Sequence, residues 1–377
     1  MNFELTEEQQ LIGQSARDFA KQYLDPIAVE VDRTGEFPKA IVQGLAKHDF
    51  MGLLLPEEFG GAGAGYVSYA EVIETLSRSL PAVASIMNNH SIAAYVIQNW
   101  GTNEQKKQYL PHMAKGELLG ALAIYERGPM PGIGPDALVA TKQDGGYVLN
   151  GKKAFVRNAG EAGVYVLFAT TDPAAGPKAL TAFIVKADTA GIKVGARLDT
   201  MGLKGCPIAD ITFEKVVVKE SALLGPINQG LAIASKALAV ASVAEAAQTV
   251  GIGQAAVEHA AAYAKQRVQF GKPVFTLQAI QTLLAEVATD CHMARLGLRN
   301  AALLIEEDKP FEVEAAMIKS FLVRLGSKML VDTCQVEGGF GYSESMPLPR
   351  MFRDIAGTNL LDAPADFPEQ IIAASIK

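Results

Sequence analysis

Gln335-Val336-Glu337-Gly338-Gly339-Phe340-Gly341-Tyr342 closes a long helical pattern near the C-terminus. Upstream, another helical run ends in Gln266-Arg267-Val268-Gln269-Phe270-Gly271. A glycine pair lets backbone approach a phosphorylated ligand closely. An arginine neutralises a diphosphate and bonds it bidentately. Each element alone is a weak signal. Their order, within an all-helical C-terminal half, makes a stronger one.

The surrounding chain limits the classes available. It has 377 residues, 49% hydrophobic and 20% charged, which gives a globular protein with a large core. The net charge is −7 and no basic stretch stands out, which argues against nucleic-acid binding. Met1-Asn2-Phe3-Glu4 carries no basic n-region or apolar h-region, so the expected location is cytoplasmic. The Ala-rich run from Ala232 to Ala247 is broken by Lys236 and Glu245 and reads as a buried helix, not a membrane span. Cys206, Cys291 and Cys334 have neither metal spacing nor an even count. His48, His90, His112, His259 and His292 form no H-x-x-x-H pair, so no metal site is expected.

Periodicity divides the chain into three parts. Thr6-Glu7-Glu8-Gln9 is a capping-box pattern, and Pro38 reads as a second helix start. Helical patterns cover 67–80, 83–100 and 103–115. After Gly120 the character changes. Tyr147 to Val156 reads as a β-hairpin turning at Asn150-Gly151. Strands are predicted at 164–169, 181–185, 192–194 and 208–218. Helices return at 230–266, 276–307, 311–338 and from Pro349 onward. The fold expected is α+β: a helical domain over 1–120, a central β-sheet domain over 121–228, and a C-terminal four-helix bundle over 229–377.

With these segments in order, the chain resembles the acyl-CoA dehydrogenase family over essentially its whole length. Leu55-Pro56-Glu57-Glu58-Phe59-Gly60-Gly61 resembles the family's N-terminal loop. Gly101 to Pro111, Tyr147 to Lys153, Met201-Gly202-Leu203-Lys204-Gly205, Arg267 to Gly271 and Gln335 to Tyr342 match further family segments. The resemblance implies FAD bound at subunit interfaces of a homotetramer-like assembly, an acyl-CoA thioester substrate, and electron-transfer flavoprotein as electron acceptor. The implied reaction removes the Cα proton with a carboxylate and passes a hydride from Cβ to the flavin.

The resemblance also assigns residues. Arg267, Phe270, Gln278, Gln335, Gly338 and Gly339 match the cofactor's diphosphate and adenosine contacts. At the flavin end Glu126 and Thr358 are retained, and the others depart from the family pattern. Tyr125 replaces a threonine, Pro131 a serine and Arg157 a threonine facing the flavin. Arg157 reads either as a cation turned toward flavin or substrate, or as a solvated strand-end residue. Ala239-Val240-Ala241-Ser242 lacks the usual Asp and Arg, and Ala241 removes the alternative site of the base. Asp362 stands where the catalytic glutamate stands, on a shorter stem, and Pro364 removes a hydroxyl. The expected activity is α,β-dehydrogenation of an unusual acyl-CoA. The alternatives are non-oxidative chemistry such as elimination or desulfination, or a non-catalytic subunit paired with a homologous chain.

Overall fold

Thr6 forms the capping box that its sequence prescribes. Thr6 Oγ1 accepts from the Gln9 N–H at 3.2 Å, and Gln9 Oε1 accepts from the Thr6 N–H at 3.0 Å. Satisfying these first-turn donors is worth about 1 kcal/mol. Helix α1 (Glu7–Phe19) starts there. It is followed by α2 (Ala28–Thr34), α3 (Lys39–Lys47, capped at Pro38), α4 (Gly65–Ser79) and α5 (Pro81–Trp100). Thr102 and Gln105 repeat the capping box at α6 (Asn103–Ala114). This computed structural model describes residues 4–128, 132, 134–360 and 367–376.

The middle of the chain is a sheet. Its strands are β1 (Gly120–Ala123), β2 (Val139–Gln143), β3 (Gly146–Arg157), β4 (Val164–Thr170), β5 (Leu180–Lys186), β6 (Ile192–Val194), β7 (Ile208–Lys219) and β8 (Leu223–Leu224). They are ordered β6-β7-β3-β2-β4-β5-β8, with β1 parallel to β4. Every residue of β4 is buried. Val164, Val166 and Phe168 pack into the helical core, while Tyr165, Leu167 and Ala169 pack into a second core on the opposite face. A strand covered on both faces reads as an unbroken apolar run, which is what Val164 to Ala169 shows.

The Asn150-Gly151 turn is not formed. β3 runs straight through it, and the ladder to β7 shifts register between Leu149 and Gly151. Asn150 Oδ1 instead accepts from the Lys215 N–H of β7 at 2.8 Å. The hairpin turn is Asp144-Gly145, two residues between β2 and β3, with Gln143 paired to Gly146. Asp-Gly and Asn-Gly carry the same turn signal, and here the second one lies within β3, opposite a β-bulge whose extra residue is on β7.

The C-terminal part begins with α7 (Gly230–Gln266). The miniature hairpin of β9 (Val268–Gln269) and β10 (Lys272–Pro273) follows. Then come α8 (Gln278–Glu306), α9 (Glu312–Glu337), α10 (Pro347–Leu360) and α11 (Phe367–Ser375). By length and composition α7 is apolar enough to cross a membrane, but most of it is buried at the centre of the bundle.

The β part is fastened to α10 through the Met201-Gly202-Leu203 segment. A side chain at Gly202 would place its Cβ 2.2 Å from the Arg353 carbonyl, so only glycine permits this approach. The buried Asp354 carboxylate accepts from the Leu203 N–H at 2.6 Å, and Arg353 bonds Asp32 of α2 through both terminal nitrogens at 2.7 and 2.6 Å. Burial pushes the Asp354 carboxyl up from 3.8 to about 6, against the opposing pull of the Leu203 N–H and Arg350. A raised folded-state pKa adds stability that is complete below the unfolded value and lost as pH rises through the folded one. Asp354→Asn keeps the acceptor for Leu203 but has no charge to form. Between about pH 4 and about pH 7 the wild type should lose on the order of 3 kcal/mol relative to this variant. Urea unfolding across that range measures it, and parallel profiles would place the Asp354 carboxyl in contact with water.

Candidate functional site

Two separate places collect the residues singled out in the sequence. The first is a cleft of about 530 Å³ beside the C-terminal end of α9, lined by Tyr263, Arg267, Gln335, Gly338, Gly339 and Phe340. Arg267 caps α7, donating its backbone N–H to Tyr263, and its guanidinium lies over the Phe340 ring at 5.8 Å. Gly338 sits at φ +61°, ψ −134°, a conformation strained for any residue with a side chain. A Cβ built at Gly338 or Gly339 meets nothing within 4 Å, so the backbone borders open space. Phe270 stands 87% exposed on the β9–β10 turn, and Gln278 is exposed at the start of α8. An arginine held by a ring, glycine backbone open to approach and an exposed amide suit an extended phosphate-bearing ligand such as a dinucleotide.

The second place lies where the sheet meets the bundle. Arg157, the last residue of β3, is turned inward and only 4% exposed. A second bulge causes this. The β3–β7 register shifts between Lys153 and Val156, with Phe155 at φ +54°. The shift changes the phase: Lys153 and Val156 share the face of Ile211 and Ala209, and Arg157 falls on the opposite face, toward Glu245 of α7, while Phe155 is exposed. Asn89 of α5 fixes the strand end by donating to the Arg157 carbonyl at 2.8 Å.

Arg157 faces one group, and through it a second, that the sequence does not single out as functional. Glu245 of α7, 1% exposed, places Oε1 3.8 Å from Arg157 Nη2. Its Oε2 accepts from Lys319 Nζ of α9 at 2.5 Å. The same ammonium donates to the Thr358 carbonyl at 2.6 Å. The Thr358 and Thr249 hydroxyls lie 2.9 Å apart, and Thr249 in turn donates to the Glu245 carbonyl. Tyr125 belongs to the same cluster. Burial, and after it the negative charge of Glu245, push its hydroxyl pKa up, with Arg157 opposing. The expected residues Tyr125, Arg157 and Thr358 are therefore brought together by Glu245 and Lys319. The sequence signal for Glu245 was a lone carboxylate in an Ala-rich apolar helix.

Glu126 does a different job from these. Its carboxylate accepts from the Gly132 N–H at 2.8 Å, the Leu138 N–H at 3.0 Å and Lys153 Nζ at 2.6 Å. Lys153 is fully buried and also bonds the Ile124 carbonyl at 2.8 Å; burial draws its pKa down and Glu126 opposes that. Both oxygens of Glu126 thus hold Gly132 and Leu138, ahead of β2. Ala239 and Ala241 are buried on α7 and present no functional group. Asp362, Pro131 and Pro364 lie outside the described residues. Among the described residues no cluster of three or more metal-ligating side chains occurs.

A helical part, a central sheet and a helical bundle, with an arginine–glycine cleft and a buried polar cluster, follow the organisation that the resemblance to acyl-CoA dehydrogenases implies. Models of the acyl-CoA dehydrogenase N-terminal, middle and C-terminal domains match residues 6–117, 134–216 and 228–377. The chain is 38% identical to a 3-(aryl)acrylate reductase of Clostridium sporogenes, over 98% of this chain and 99% of that one. It is 37% identical to an NADH-dependent acryloyl-CoA reductase of Anaerotignum propionicum, over 100% and 96%. Butyryl-CoA dehydrogenase of Megasphaera elsdenii superposes with a TM-score of 0.96 at 32% identity, covering 100% and 99%. The chain belongs to the acyl-CoA dehydrogenase family. It is a flavoenzyme whose cofactor is FAD.

Proposed function

We propose that this enzyme acts on the Cα–Cβ bond of an acyl-CoA thioester whose acyl group is not a plain alkyl chain, with Asp362 exchanging the Cα proton. The buried Arg157–Glu245–Lys319 cluster carries this reading. Removing charges from water costs several kcal/mol per ion. A pocket for a simple alkyl chain gains nothing from that cost. FAD, when bound, supplies the two-electron acceptor.

The chain's own residues would bind, orient and keep the pocket dry. Arg267, Phe270, Gln278, Gln335, Gly338 and Gly339 would hold the diphosphate and adenosine end of the cofactor. Tyr125, Arg157 and Thr358 would border its ring, with Glu126 holding the loop that carries Tyr125. Lys319 and Thr249 fasten Thr358, which fixes the end of the helix that leads to Asp362. Net reduction of an α,β-unsaturated thioester is the second reading, favoured by the names of the two reductases to which the chain is similar.

The surroundings of the cleft support an assembled protein. Phe270 and Tyr342 are 87% and 93% exposed beside it, and Val268 and Phe340 are also exposed. Such an apolar rim fits a second subunit, either another copy or a homologous chain. Electron-transfer flavoprotein is the proposed electron acceptor, and the cytoplasm the proposed location.

Anaerobic mixing of holoenzyme with a panel of saturated acyl-CoA thioesters tests the reading. At least one is expected to bleach the flavin's visible absorbance. In the reductive reading, an unsaturated thioester restores the absorbance of chemically reduced enzyme. No spectral change in either direction, with FAD still bound, would overturn both.

A further inference from the structure

An ion pair lies behind the glycine cleft. His259 and Tyr263 sit one turn apart on α7, and Arg267 closes that helix. All three meet the turn that ends α9. Tyr263 and Arg267 lie against Phe340, and His259 Nε2 lies 3.0 Å from Glu337 Oε1. Glu337 is the last residue of α9, immediately before Gly338. Its side chain is fully buried, and neither carboxylate oxygen has a hydrogen-bond partner among the described residues. His259 Nε2 has none either, so the ring N–H is not aimed along the 3.0 Å contact and the pair holds by charge. The contact is attractive only when the imidazole is protonated. Among the described residues that line the cleft, Glu337 is the only carboxylate and Arg267 the only cation.

We infer that His259 is a positioning residue for the cofactor: its charge holds the Glu337 carboxylate off Arg267 and leaves that guanidinium open to the diphosphate. This role rests on the assignment of Arg267 to the diphosphate end of FAD. A buried carboxylate without a counter-charge moves toward the next cation or toward water. The chain gives Glu337 room to do so, because Gly338 and Gly339 follow it and no atom lies within 4 Å of where their side chains would start. The cation that lines the same cleft is Arg267. A carboxylate placed there would neutralise the guanidinium and occupy the donors that a phosphate needs. It would also set a negative charge beside the charges of the cofactor itself.

FAD retention reads this role without any turnover. Purified holoenzyme is ultrafiltered at fixed protein concentration, and the Kd follows from free and bound FAD. His259→Leu should raise the Kd at least about tenfold, the loss of one charge-assisted phosphate contact. Adding Glu337→Gln removes the competing charge and keeps the shape, so the Kd should return to within about threefold of wild type. Arg267→Met should also raise the Kd. His259→Leu should then add nothing to it, because the contact that His259 protects is already gone. A merely structural loss would weaken FAD by the same factor with or without Arg267. Equal factors in the two backgrounds, an H259L Kd equal to that of wild type, or no recovery on adding E337Q would overturn the role of His259, while the cofactor reading stands. An R267M protein that keeps FAD as tightly as wild type would instead overturn the assignment of Arg267, and the role of His259 with it. Where H259L does not fold, His259→Gln takes its place in the same comparisons.

Discussion

Replacing Glu245 by leucine is expected to lower the stability of the fold by about 3–5 kcal/mol, the cost of leaving buried charge without its partner. Leucine is of similar volume and is a good helix former, so the loss does not arise from packing or from α7 itself. It arises because Lys319, 3% exposed, keeps only the Thr358 carbonyl, and Arg157 loses its facing carboxylate. Neither cation reaches water. The exposed pair Arg78–Glu258 is the control: Glu258→Leu should change stability by less than about 1 kcal/mol. Adding Lys319→Met to Glu245→Leu removes the stranded ammonium as well. The double variant should then be less destabilised than the sum of the single ones, by about 1–3 kcal/mol. Denaturant unfolding of the FAD-loaded proteins measures all of these. An E245L loss below about 1 kcal/mol would mean that water reaches the cluster.

The helices were the most legible part of the chain because their signals are local. Thr6 and Gln9, or Thr102 and Gln105, sit three residues apart and decide a helix start without help from the rest of the fold. β4 was equally plain, since burial on both faces leaves one apolar run. β3 departs from the expectation because its Asn150-Gly151 is chemically a good turn, and only pairing with both β2 and β7 keeps it in the strand. The direction of Arg157 was left open for the same reason. Strand alternation predicts a side only while the register is unbroken, and the Lys153–Val156 shift breaks it just before Arg157. The glycine-lined cleft could be anticipated from residue types. The Arg157–Glu245–Lys319 cluster could not, because its members come from β3, α7 and α9 and meet only through tertiary packing. Glu245 did leave a trace, as the one carboxylate in the apolar run from Ala232 to Ala247. A single carboxylate in such a run needs a buried partner, and a search for one is the step that would have found Lys319.

Asp362→Asn is expected to lower kcat/KM by about 10²–10⁴, the usual contribution of a general base, with FAD binding and unfolding stability unchanged. Asparagine keeps the volume and removes the proton-accepting charge. Exchange of the substrate's Cα hydrogen with deuterated water should fall in parallel, and that readout does not depend on electron transfer. Asp362→Glu retains a carboxylate but advances it by one carbon–carbon bond, about 1.5 Å. A displacement near 1 Å costs about 100-fold, so this variant should lie between wild type and D362N. It should also lose less on simple straight-chain thioesters than on the preferred substrate, because a longer base suits an acyl group seated farther away. Anchoring matters to both variants. Thr358, held by Lys319 and Thr249, lies on α10 just ahead of the segment that carries Asp362. Lys319→Met should therefore reduce turnover even though Lys319 is not assigned a contact with substrate. A D362N enzyme within threefold of wild type would remove Asp362 from the chemistry. The proton would then have to reach another carboxylate, and Glu245, buried beside Arg157, is the next one to replace.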